Sequence, residues 1–320
     1  MRFVALGGLV ATALIARPAL AQGVEAEIET MMNGLKAKSS LYAKHIPSGR
    51  TIAIRADVPM NTLSVIKIPI MIQVFRDVEA GRLKLTDRHT IRPEDLRRGS
   101  GLLQRFDVGV APTIRDLIDQ MIITSDNTAT DLLIAKVGLD RVNATLASFG
   151  FSQTRLQRTT GDLFREVWIR SDPKFASLTD REVFERGFPN DPQSAARSFA
   201  IEGDSTRWLG RTTAREMSAM LEGIRDGKYA SAEHSRMMMS MLFGQFYASR
   251  LPQRLMWKPG VAVGHKTGDW PPFAGNDVGI ITYPGGPLVI SIFTNQNTGD
   301  FFELEATQGR IAELLVNTWK

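Results

Sequence analysis

The chain has 320 residues, 43% of them hydrophobic, with 39 basic and 34 acidic side chains and no cysteine. The absence of cysteine excludes disulfides, thiol catalysis and Cys-based metal sites. The net charge of +5 comes without any Lys/Arg block, so nucleic-acid binding has no support.

Arg2, the apolar run Phe3 to Ala16 and the small-residue triplet Ala19-Leu-Ala21 have the layout of a secretory leader. The run is short for a bilayer span. Cleavage near Ala21-Gln22, a secreted or periplasmic mature chain without stable membrane insertion, and a monomer are therefore expected. Helical spacing follows at 24–38, then two short strands, Leu41–Ile46 and Thr51–Ile54, around Pro47-Ser-Gly49. A helix is expected over Val65–Glu79, ending at Ala80-Gly81 and perturbed in its first turns by Pro69. Helices are also expected at 113–123 and 126–137, and after the capping box Thr213-Ala-Arg-Glu216. Strands are expected at Val261–Val263, Val278–Tyr283 and Leu288–Phe293. A last helix should bury Phe302, Ile311, Leu314, Leu315 and Trp319.

This order predicts an α/β chain of the α+β type. An antiparallel sheet built from both chain ends is flanked by N- and C-terminal helices, and an all-helical domain is inserted between its parts. The expected boundaries are a leader at 1–21, a sheet domain at 22–60 and 212–320, and a helical domain at 61–211. A cleft between the two is the expected place for a site.

Ser64-Val-Ile-Lys67 sets a hydroxyl and an amine one helical turn apart inside an otherwise apolar run. A buried lysine with a lowered pKa can take a proton from serine, and a helix start points N–H groups at a developing oxyanion. Alone, the pattern also fits an N-cap serine with a snorkelling lysine, and Ser171-Asp-Pro-Lys174 is a chance second match. Ser125-Asp-Asn127 and Lys266-Thr-Gly268 then follow in order. Together the three motifs resemble the signature of the penicillin-recognising serine enzymes, class A β-lactamases and penicillin-binding proteins.

The resemblance covers nearly the whole mature chain and implies roles. Ser64 would be the acylated nucleophile, Lys67 its proton acceptor and Ser125 the relay to the leaving nitrogen. Asn127 would bind the substrate amide, and Lys266, Thr267 and Gly268 would line the carboxylate side of the cleft. The backbone N–H groups of Ser64 and Asp269 would form the oxyanion hole. The Arg97-Arg98-Gly-Ser-Gly101 stretch would line the cleft. No cofactor or metal is implied, and the partner would be a small β-lactam or a peptidoglycan-like acyl donor.

One part departs from the family pattern. Class A enzymes carry a deacylating glutamate in an Ω-shaped loop, and Thr154–Phe164 matches that segment with Thr160 at the glutamate position and Phe164 at the asparagine position. The region from about 160 to 211 is enlarged, roughly 35 to 40 residues longer than is typical. It offers Asp162, Glu166, Glu182, Glu185 and Glu202 as surrogate bases. Each also reads as a solvated helix-face acid, Trp168 and Trp208 read as packing, and His265 as a strand histidine satisfied by a neighbour. The implied function is an acyl-serine hydrolase of the β-lactamase type with doubtful turnover. The alternatives are a D,D-peptidase or esterase with the same machinery, and a sensor that is acylated and stays so.

Overall fold

A computed structural model describes residues 19–320. The leader expected at 1–21 lies almost wholly outside the described residues. Among the described residues no helix is long and apolar enough to cross a membrane.

The main sheet has five antiparallel strands, β1 (Lys38–His45), β2 (Thr51–Ile54), β6 (Ala262–Trp270), β7 (Ala274–Thr282) and β8 (Leu288–Asn295), in the order β2-β1-β8-β7-β6. The chain's N-terminal hairpin therefore pairs directly with its last strand, from Lys38↔Asn295 to His45↔Leu288. Every residue of β8 is buried. Its side chains alternate between two cores with the period of a strand. Leu288, Ile290 and Ile292 meet α1 (Ala19–Asn33) and α11 (Phe301–Thr318) through Ile28, Met32, Ile311 and Leu315. Val289 and Phe293 join the other core with Met217, Met220 and Ile224 of α9 (Ala214–Arg225).

A second sheet of three short strands, β3 (Met60–Asn61), β5 (Gly210–Thr212) and β4 (Arg155–Leu156), lies where the helical part joins the main sheet. In the helical part, α2 (Lys67–Glu79) is buried on nearly all sides among α3 (Ile114–Ile123), α4 (Asn127–Val137) and α5 (Leu139–Ser148). The enlarged region is ordered into α6 (Thr160–Ile169), α7 (Asp180–Arg186) and α8 (Ser194–Gly203), and α10 (Ala232–Phe243) packs on α9 and β6.

Several expectations are corrected. Residues 63–66 form a 3-10 turn and the α-helix begins only at Lys67, so Pro69 falls in its first turn, where its missing N–H removes no helical bond. Lys266-Thr-Gly268 sits inside β6 rather than at a strand end. Only half of the capping box at Thr213 forms. Its hydroxyl accepts from Glu216 N, while the Glu216 carboxylate turns to Gln153 N and the Thr154 hydroxyl at 2.6 Å. Phe302 is 80% exposed, because nine residues separate it from Ile311 and set it on the opposite face of α11 from Leu304, Ile311 and Leu315.

Candidate active site

The chain leaves β3 through a tight turn that presents Ser64. Thr62 N donates to Gly210 O at 3.0 Å, and Leu63 then adopts a left-handed φ of +47°, unfavourable for a side chain branching above Cα. Neighbours hold it there. Asn61 Oδ1 accepts from Leu63 N at 3.2 Å, and Asn276 Nδ2 of β7 donates to Asn61 O at 2.9 Å and Thr62 O at 3.3 Å. Asn276 Oδ1 is itself fixed by Thr294 N at 3.0 Å. Strand β6 passes so close that a Cβ at Gly268 would stand 2.5 Å from Thr62 O and 3.2 Å from Ser64 N. Only glycine allows that approach.

Ser125 also has a left-handed backbone, with φ +56°. The turn is locked by its successor: Asp126 caps α4 by accepting from Ala129 N at 2.9 Å and takes Leu103 N at 2.8 Å. Ser100 Oγ donates to Ser125 O at 2.7 Å, and Asn127 Nδ2 donates to Arg98 O at 2.9 Å. The 97–101 stretch therefore lies against the cleft, with Gly99 and Ser100 in its lining.

The two lysines converge on this serine. Lys67, fully buried, donates to Ser125 O at 2.7 Å, Asn127 Oδ1 at 2.8 Å and Ser125 Oγ at 3.1 Å. These three acceptors account for all the protons of an ammonium. Lys266, also fully buried, reaches Ser125 Oγ at 2.9 Å from the opposite side and donates to Thr267 O at 2.9 Å. Burial, reinforced by the Lys266 charge, pushes the Lys67 pKa well below the ordinary lysine value. Burial lowers Lys266 to about 7, the nearby Arg250 acting in the same direction while Asp269 and Asp277 oppose it. Two amines on one hydroxyl thus favour a state in which one has given up its proton, and the lone pair so freed is what a serine needs.

Ser64, Ser125, Asn127 and Asp269 line one cavity of about 530 Å³ with Thr160. Lys67 and Lys266 reach it through Ser125, and Gly268 lies close beside Ser64 N. The Thr267 hydroxyl is buried and, among the described residues, has no hydrogen-bond partner. Thr160, at the position where the resemblance expects a glutamate, faces this cavity with no carboxylate to offer. Its hydroxyl donates to Asn127 O at 3.4 Å, and its N–H is bound by Asp131 at 2.8 Å.

None of the five surrogate acids lines the cavity. Glu166 pairs with Arg170 and Arg207, Asp162 closes the capping box of α6, and Glu182 does the same for α7. Glu185 pairs with Arg181. Buried Glu202 accepts from Gln296 N at 2.9 Å, and burial raises its pKa. His265 is likewise away from the chemistry, with Nδ1 on Asp277 at 2.8 Å.

Sequence reasoning missed Arg250, a fully buried guanidinium in the cavity wall. It donates to Asp269 Oδ1 at 2.5 Å and Glu305 Oε1 at 3.1 Å. Among the described residues, these two acids are the only carboxylates lining the cavity, and Arg250 holds both. It was illegible because the acids that bury it are 19 and 55 residues away. Phe188, Trp270 and Phe301 of the lining were missed as well.

The model of the beta-lactamase enzyme family matches residues 23–319. Beta-lactamase VEB-1 of Pseudomonas aeruginosa is 24% identical over 277 residues, covering 83% of this chain and 81% of its own. The crystal structure of a beta-lactamase from Sphaerobacter thermophilus superposes with a TM-score of 0.72 at 28% identity, over 93% of this chain and 95% of that one. A PBP-A variant solved as an acyl-enzyme complex with penicillin G shares the fold at a TM-score of 0.69 and 20% identity, with 93% and 95% covered. With its motifs gathered at one cavity, the chain belongs to the beta-lactamase enzyme family and is a serine hydrolase of the class A type.

Proposed function

We propose that this protein opens β-lactams through an ester on Ser64 and releases the product slowly. Neutral Lys67 accepts the Ser64 proton as Oγ attacks the lactam carbonyl, and the C–N bond breaks once that nitrogen receives a proton through Ser125. Ser125 suits this relay because its oxygen accepts from both lysines, leaving its own proton to be passed on. The N–H groups of Ser64 and Asp269 stabilise the oxyanion. Charged Lys266 and the unpartnered Thr267 hydroxyl bind the substrate carboxylate, and Asn127 its amide. Export through the N-terminal leader, action as a monomer, and the division into sheet and helical domains belong to the same reading.

The observation that carries it is the meeting of Lys67 and Lys266 on Ser125 Oγ beside the Ser64 turn. Slow release rests on Thr160, since a hydroxyl cannot activate water near neutral pH. That feature favours a second reading, a penicillin-binding sensor that remains acylated. A chromogenic cephalosporin in excess separates the two. A burst of one equivalent with a slow linear phase is the expected result. A burst without any later phase indicates the sensor, and hydrolysis of a D-Ala-D-Ala peptide or aryl ester without lactam opening indicates a peptidase or esterase.

A further inference from the structure

The cavity lining has two chemically different parts. Arg250, Asp269 and Glu305 gather at one, near Phe301. The other is walled by the enlarged region: Leu163, Phe164 and Val167 from one face of α6, Phe188 and Pro189 from the connection to α8, with Trp270 of β6 in the same lining. The Phe164 and Phe188 rings meet edge to face with centroids 5.2 Å apart. The polar groups that α8 adds here are the neutral hydroxyls of Ser194 and Ser198.

This wall is anchored rather than hinged. Asp131 accepts from Thr160 N and Gly161 N at 2.8 and 2.9 Å, binding the start of α6 to α4. Arg97 joins Asp131 to Asp180 of α7 at 2.7 and 2.6 Å. Gly161 leaves room for that bridge, since a Cβ there would stand 2.8 Å from Arg97 Nε. Arg98 Nε donates to Phe184 O at 2.6 Å, and Glu202 secures the end of α8 to Gln296. A preformed apolar recess beside a nucleophile selects an apolar group without an ordering cost at binding.

We infer that the enlarged region forms a recess for the acyl side chain of the substrate, one that takes a bulky, uncharged aromatic or branched alkyl group and disfavours a charged one. This rests on the acyl-serine reading above. The recess has no ion to pair with a charged side chain, which would leave its water uncompensated, whereas an aromatic ring finds the Phe164 and Phe188 rings beside it in the cavity lining.

The test compares second-order acylation constants, read by intact mass, for three penicillins with one nucleus. These are benzylpenicillin, carbenicillin with its added side-chain carboxylate, and 6-aminopenicillanic acid with no acyl side chain. Benzylpenicillin is expected to exceed 6-aminopenicillanic acid by ~10²-fold and carbenicillin by at least tenfold. In Phe188→Ala, at a rim residue that is 47% exposed and thus dispensable for folding, the benzylpenicillin constant should fall several times more than the 6-aminopenicillanic acid constant. Phe164→Ala should widen that loss, and Phe164→Leu should restore part of it. Equal constants for the three penicillins, or a proportionate fall for all of them in the variants, would overturn the recess while leaving acylation at Ser64 intact. No adduct with any of the three overturns the acyl-serine reading itself, and the recess with it.

Discussion

Thr160→Glu places a carboxylate where the cavity lacks one. The side chain starts from the first turn of α6, facing the same cavity as Ser64, and a helix N-terminus favours an anion by ~0.3–1 kcal/mol. Against this, Asp131 already bonds the backbone at 160 and 161, and the lost hydroxyl bond to Asn127 O, at 3.4 Å, is a weak one. Thr160 is itself buried, so the longer ionised side chain also carries a packing and desolvation cost, and a net loss of ~1–3 kcal/mol is expected. The kinetic effect should be larger. A positioned general base contributes ~10²–10⁴-fold, equivalent to about 2.7–5.4 kcal/mol of barrier. Deacylation is measured by trapping the penicillin ester, removing free antibiotic and following the adduct mass with time. The ester of the variant should decay at least a hundredfold faster than that of the parent, with acylation little changed. If the ester survives equally long in both, water activation does not fail at residue 160 and the reasoning from Thr160 is wrong.

The acylation constant should be bell-shaped in pH. Its acid limb reports loss of the free lysine base as Lys67 is protonated, below the ordinary lysine range. Its alkaline limb, at about 7, reports loss of the cation at Lys266. Lys266→Arg keeps the charge and should remove the alkaline limb, and a limb that persists would assign it elsewhere. Because the folded pKa of Lys266 lies below its unfolded value, the unfolded chain holds the extra proton between about pH 7 and 10.5. Stability from this group therefore rises with pH across that window, which pH-dependent denaturant titration of the parent and Lys266→Met measures. Asn276→Ala strips the buried Asn61 and Thr62 carbonyls of a donor and Thr294 N of an acceptor, so a loss of ~2–4 kcal/mol is expected from urea unfolding. An unchanged midpoint would show that the asparagine does not hold the nucleophile turn. Gly268→Ala pushes a methyl against Thr62 O and should slow acylation by at least tenfold with circular dichroism unchanged; parent-like rates would show that the turn can yield.

The Ser64–Lys67, Ser125–Asn127 and Lys266–Gly268 motifs were legible because each is a local pattern, whereas the sheet of both chain ends was read from the order of elements and from the family resemblance. Ser64 and Lys67 share a helical turn, and β8 opens on Leu288–Phe293, an apolar run broken only by Ser291. Other features were hidden for physical reasons. Helix α10 carries Met237, Met238, Met239 and Met241, so its apolar residues run on rather than recurring at helical spacing. Helices α5 and α8 have little apolar stripe, each burying two residues. The strand period of β6 is masked by Gly264, which lies against the Phe243 ring, by Gly268, which lies against the Ser64 turn, and by Asp269, which pairs with Arg250. Arg250 and the Phe188 wall depend on chain segments brought together only by the fold, which no spacing rule reaches.

The most direct measurement is the mass of the intact protein, and then of its proteolytic peptides, after brief exposure to benzylpenicillin. One equivalent of penicilloyl mass on the peptide that carries Ser64, absent from Ser64→Ala and strongly delayed in Lys67→Ala, is the expected result. An adduct on another residue, or one that survives in Ser64→Ala, would contradict the assignment of the nucleophile.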